Sequence, residues 1–185
     1  MQPTAAFRDL DSRFKWLTAF FRSYHCFFAL HPLCDELDDG DDGLDLLPFH
    51  HLSNVLLYDT VINWCKIFGV DNEDCHWKRV VKDHGAFRTF LFFRIDTDPA
   101  AFRKYQESVL DFRNKWIVHF DPQYDHGVVP KLDVAYQTAI ALHEYLRKSP
   151  MDTMYYSGPE DMTQFGSMVA SKFLQKLHGG ETKLR

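Results

Sequence analysis

The chain has 185 residues, enough for one well-packed domain, and its 45% hydrophobic and 16% aromatic content, with 17 Phe and 4 Trp, excludes a wholly disordered chain. The start, Met1-Gln-Pro-Thr-Ala-Ala-Phe-Arg, lacks a basic segment followed by an apolar one, and no apolar run approaches the roughly 18 residues that span a bilayer, so a soluble, cytoplasmic protein with no membrane contact is expected. The net charge of -5 speaks against nucleic-acid binding only until its distribution is considered: Asp35, Glu36, Asp38, Asp39, Asp41, Asp42 and Asp45 fall together with no Lys or Arg, and without these seven the balance is +2.

Taken in chain order, Phe7, Leu10, Phe14, Leu17, Phe20/Phe21, Tyr24 and Phe27/Phe28 recur at steps of three and four and predict an amphipathic helix over 7–29, ended by His31-Pro32. The acidic stretch 33–48, with Gly40 and Gly43, reads as a mobile surface loop. Counted from Asp38 as a calcium loop it fails, because Gly40 falls at position 3 and Phe49 at position 12, where a ligand and Glu belong. Leu57, Val61, Trp64 and Phe68 then predict a second long helix over 49–68, with Gly69 as its C-terminal cap. A short capped helix is expected within 71–81 and a Phe-rich one over 85–95.

Asp98-Pro99 opens the next helix well, since an acidic cap and a Pro at the first helical position suit the unbonded amides there. It should run to about Phe120, where Asp121-Pro122 stops it. Pro130 to Lys148 and Asp161 to Leu177 follow as two more helices, and 179–185 as a flexible basic tail. Period-two alternation is nearly lacking. The expected fold is a single all-α domain over 1–185, a bundle of four to five long helices with short connecting ones.

The chemistry-bearing segment is Asp111-Phe-Arg-Asn-Lys-Trp-Ile-Val-His-Phe-Asp121. Within it Arg113 and His119 are separated by five residues, and Asn114 follows the Arg directly. Metal-free RNA cleavage needs a group that moves protons and a cation for the developing negative charge, and His and Arg fit those two tasks. His119 falls in the last turn of its helix, where the macrodipole favours positive charge and suits a general acid. Arg113 has the planar fork for a phosphate, and Asn114 can orient the His or hold the phosphate through its amide. Six steps along an ideal helix turn a side chain by about 600°, so the two residues point about 120° apart. A composite pocket is therefore easier to build where two copies of the helix meet across a two-fold axis.

This segment resembles the HEPN superfamily, whose signature is Arg, four to six residues, then His, commonly with Asn, Asp or His after the Arg. Asp111-Phe112 and Phe120-Asp121 are similar to the flanks in HEPN proteins of bacterial abortive-infection and toxin–antitoxin systems. The resemblance is best over 49–148, where two helices, a short Trp-containing insert and the motif helix come in a HEPN-like order. It implies an all-α HEPN-like bundle and a homodimer with a metal-independent ribonuclease site at its interface. The site would be built from Arg113, Asn114 and His119, with RNA as substrate and a cognate antitoxin as a further partner.

Around this site Lys115, Lys78 and Arg79 are the expected RNA contacts, with Lys82, Arg88, Arg94, Arg103 and Lys104 as further phosphate candidates. Trp64, Trp77 and Trp116 have the rings to stack bases, although most aromatics fall on stripes that the helices must bury. No metal or other cofactor is expected. His25-Cys26, Cys34, His50-His51 and Cys75-His76 lack ligand spacing, so buried or capping roles suit them better, and the four cysteines should be reduced and mostly buried. The alternative is a non-catalytic HEPN-like module that binds a nucleotide, an RNA or a partner protein. A plain dimerisation domain is a third reading, which buried, fully satisfied motif residues without an open cleft would signal.

Overall fold

A computed structural model describes residues 5–37, 47–71, 75–119, 129–148 and 158–180. Among these, six α-helices occur and no strand: α1 (Ala5–Leu37), α2 (Leu47–Phe68), α3 (His84–Arg94), α4 (Pro99–Phe112), α5 (Asp133–Lys148) and α6 (Met162–Gly180). A 3₁₀ turn lies at Trp77–Arg79, and a π-helical turn, Arg113–Val118, continues α4. The protein is all-α. None of its described helices is long and apolar enough to cross a membrane.

Several helix ends follow from short-range chemistry. Asp83 Oδ1 accepts from the Ala86 amide at 2.9 Å, Asp98 Oδ1 from those of Ala100 and Ala101 at 2.8 Å, and Asp161 Oδ1 from that of Gln164 at 2.9 Å. Each satisfies amides that the first helical turn leaves without intrahelical partners. At the end of α2 the Gly69 amide donates to Cys65 O at 2.8 Å, and a Cβ at Gly69 would lie 2.3 Å from that oxygen, so only glycine fits without displacement.

One expected boundary is overturned. Pro32 does not end α1, which continues to Leu37 with Pro32 inside it. An interior proline costs a hydrogen bond and about 3 kcal/mol. Leu30 and Cys34, each 1% exposed, lie four residues apart on either side of it, and the burial they share offsets that cost. The acidic segment expected over 33–48 is accordingly divided: 33–37 belong to α1, Leu47 and Pro48 begin α2, and 38–46 lie outside the described residues. Of the tail expected over 179–185, Gly179 and Gly180 belong to α6 and the rest lies outside the described residues. Cys26, Cys34 and Cys65 are buried and Cys75 is half-buried, and none of the four is in a disulfide.

The chain divides into two compact units, Met1–Leu17 with Val61–Gly158, and Thr18–Thr60 with Pro159–Arg185, so α1 and α2 each supply residues to both. In the first unit Trp64, Phe68, Phe87, Leu91, Val109, Phe112 and Leu142 are buried. The polar edge of Trp64 is satisfied there, its indole N–H donating to Thr138 Oγ1 at 2.9 Å. Tyr105 Oη accepts from the Ala135 amide at 3.1 Å and donates to Lys131 O at 2.8 Å, which ties α4 to the start of α5. Arg94 reaches Glu144 through two N–H groups at 3.2 and 3.1 Å, an interaction that holds the guanidinium above its ordinary pKa. In the second unit Phe20, Phe21, Leu30, Leu57 and Met162 are buried, and Ser23 Oγ donates to Asp59 Oδ2 at 2.5 Å. Gly166 of α6 sits against His25, with room for no side chain at its present approach: a Cβ would meet the ring at 2.2 Å.

Candidate nucleic-acid site

The Arg113–His119 motif lies where α4 widens. Arg113 keeps α-helical dihedrals, and the turn then closes with the His119 amide donating to Asn114 O at 3.0 Å, a five-residue step instead of four. The π turn forms the C-terminal end of this helical segment, a place where such wide turns occur. His119 itself has left the helix, with extended backbone at φ -123° and ψ 135°, so it stands just past the last turn and not within it as the sequence suggests.

Arg113 Nε donates to Asn114 Oδ1 at 3.0 Å, which fixes the guanidinium beside its neighbour, and its other N–H groups make no hydrogen bond among the described residues. Asn114 therefore steadies Arg113 directly. His119 is exposed, and its ring makes no hydrogen bond among the described residues. No hydrogen bond among the described residues joins Arg113 to His119. Lys115 is committed to Asp111 at 2.8 Å, an exposed pair one helical turn apart. Every residue of the π turn escapes full burial, including Trp116 and Ile117, while Val118 is 57% exposed. Phe120, Asp121 and Pro122, expected to flank and end this helix, lie outside the described residues.

The other two expected contacts, Lys78 and Arg79, fall on the 3₁₀ turn, and of these only Lys78 borders a cleft in the first unit. That cleft encloses about 690 Å³ between the segment after α2, the 3₁₀ turn, α3 and α4. Its volume lies within the range of small-molecule sites. Trp77, Phe92 and Phe102 form apolar wall, and Lys78, Arg88 and Arg103 supply cations. Lys78 Nζ meets Asp71 Oδ2 at 2.5 Å, and this cation holds the Asp71 carboxyl below its usual range. Arg103 meets Glu107 at 3.2 Å. Arg88 has no carboxylate partner among the described residues and lies over the Trp77 ring at 5.9 Å. On α4, Gln106 Nε2 donates to Phe68 O and, at 2.9 Å, to Gly69 O, pinning the cleft's α4 wall to the end of α2.

His76 lines the same cleft and is 2% exposed. Burial above all, then the positive charge of Lys78, pushes its pKa down from 6.5 to about 4, so the ring is neutral at physiological pH. Its Nδ1 accepts from the Lys78 amide at 3.3 Å, which caps the 3₁₀ turn and puts the ring proton on Nε2. Arg94, a phosphate candidate by sequence, pairs with Glu144.

The sequence carries a trace of this cleft in basic residues set beside aromatic ones, Trp77-Lys78, Phe87-Arg88 and Phe102-Arg103, but local spacing does not reveal that they converge. Compared with protein-family models, with curated proteins and with solved structures, the chain matches none.

Proposed function

We propose that this protein is a metal-independent endoribonuclease of HEPN type that acts as a homodimer in the cytoplasm, in defence or as a toxin held in check by a cognate antitoxin. The observation that carries this reading is the exposed π turn, where Arg113 is steadied by Asn114 and the His119 ring has no hydrogen-bond partner among the described residues. In the reaction the substrate 2'-oxygen bonds to phosphorus as the bond from phosphorus to the 5'-oxygen breaks, giving a cyclic phosphate and a free 5'-hydroxyl. The proton lost by the 2'-hydroxyl goes to a base, and another is delivered to the 5'-oxygen. His119 handles protons, and Arg113 and Asn114 grip the phosphate as its charge grows.

The half-buried Trp116-Ile117 pair and exposed Val118 support a second copy as partner, since an unburied apolar run beside the motif is covered when two π turns meet across a two-fold axis. The exposure of His119 speaks against a purely structural role for the motif. Purified protein incubated with RNA in EDTA, alongside His119→Ala and Arg113→Ala, provides the test. Loss of cleavage in both variants is expected, and equal cleavage by all three proteins sinks the proposal. RNA binding with no cleavage, unchanged in His119→Ala, would favour the non-catalytic binding module.

A further inference from the structure

We infer that the cleft bounded by Arg88, His76 and α4 holds an unpaired nucleotide of a single-stranded RNA, and that the strand runs from there along α4 to the Arg113 turn. The inference rests on the ribonuclease reading for the strand's onward path, while the cleft itself is argued from its own residues.

Four observations converge. First, the α4 residues that border the cleft, Phe102, Arg103, Gln106, Glu107 and Leu110, recur at steps of three and four and so form one face. Arg113 and Asn114 are the next positions on that face, and Arg113 lies only about 5 Å beyond Leu110 along the axis at about 1.5 Å per residue. A strand leaving the cleft along α4 therefore meets the motif without crossing to another side of the helix.

Second, Arg88 is a cation without a carboxylate partner among the described residues, set at the cleft wall over Trp77. The other two cations are held by carboxylates whose side chains are 60% (Asp71) and 64% (Glu107) exposed. Solvated pairs of this kind are weak and can open to let a phosphate in. Third, Phe92 and Phe102 are half-buried cleft residues with ring centroids 5.8 Å apart, which offers an incoming base an aromatic edge and face. Fourth, His76 is nearly fully buried at the cleft, and its Nε2–H has no hydrogen-bond acceptor among the described residues. A base carbonyl or ring nitrogen supplies that acceptor.

Bases become available to stack and to hydrogen-bond in this way only when unpaired, so duplex RNA is the poorer ligand. The test uses anisotropy of a fluorescent eight-nucleotide RNA in EDTA, with His119→Ala as the cleavage-deficient background. Arg88→Glu in that background, whose fold is checked by circular dichroism, should weaken binding at least tenfold, and a duplex of the same sequence should bind at least tenfold more weakly than the single strand. Competition by a nucleoside monophosphate would support the cleft and identify one nucleotide as sufficient. RNA binding without such competition would support the cleft as a strand site. Unchanged affinity in Arg88→Glu, equal binding of the duplex, or no binding of single strands overturns the inference. The two readings fail separately. Arg88-dependent binding by a wild-type protein that cuts nothing removes the ribonuclease and leaves the cleft. Cleavage whose KM is unaltered by Arg88→Glu removes the cleft and leaves the ribonuclease.

Discussion

Replacing His76 with Asn should remove a definite portion of the acid sensitivity of folding. Asn places an amide oxygen where Nδ1 now accepts the Lys78 amide, so the cap of the 3₁₀ turn survives while the titrating group is lost. In the wild type the His76 pKa is about 4, against an ordinary value of 6.5 in the unfolded chain. The folded state thus refuses a proton that the unfolded state accepts. Its stabilising contribution is complete above pH 6.5, declines as pH falls from 6.5 towards 4, and changes no further below that. At 1.36 kcal/mol per pKa unit, moving from pH 7.5 to pH 5 costs the wild type about 2 kcal/mol through this residue. Urea unfolding of both proteins at the two pH values measures it, because all other titrations are common to both and cancel in the difference. A smaller loss in His76→Asn, by about 2 kcal/mol, is expected. Equal losses in the two proteins would refute the assignment of His76 as a buried neutral base.

Two further substitutions probe the helix ends. Gly69→Ala, which would set a methyl 2.3 Å from a backbone oxygen that cannot move alone, should destabilise by about 1–3 kcal/mol in the same unfolding assay, and a neutral result would show that the end of α2 rearranges freely. Pro32→Ala should have the opposite sign, raising stability by about 1–2 kcal/mol in a thermal melt, because Pro32 is exposed and the change restores an amide inside α1 at little packing cost.

The contrast between those two positions marks what is legible in the sequence. Gly69, Asp83, Asp98 and Asp161 act on groups within four residues of themselves, so their effect is written in the local sequence, and the helix ends they set agree with it. Pro32 has the same kind of local signal, but it is overridden by the burial of Leu30 and Cys34, which depends on packing that no neighbouring residue announces. The π turn is another such case. Arg113 through Val118 reads as plain helix by periodicity, and the shift to a five-residue bond carries no compositional mark. The cleft is least legible, because its residues come from four segments spread between Gly69 and Leu110.

The π turn alters how the motif is presented within one chain. On an ideal α-helix Arg113 and His119 are six uniform steps apart and their orientations follow from arithmetic alone. In the π turn the His119 amide is bonded to Asn114, and the backbone of His119 is already extended, so its side chain leaves the helix on a path set by the turn and not by helical rotation. Arg113, by contrast, stays in the α-helical frame of α4, on the same face as the cleft. On the proposed reading, the group that would grip phosphate is thus fixed to a rigid helix, and the one that would handle protons to the element that ends it. Under the proposed function, a strand lying along α4 would have its phosphate registered by Arg113 before His119 meets it, with binding on the helix and chemistry at its end. Within this scheme, straightening the turn by deleting Ile117 should spoil cleavage while leaving Arg88-dependent RNA binding intact.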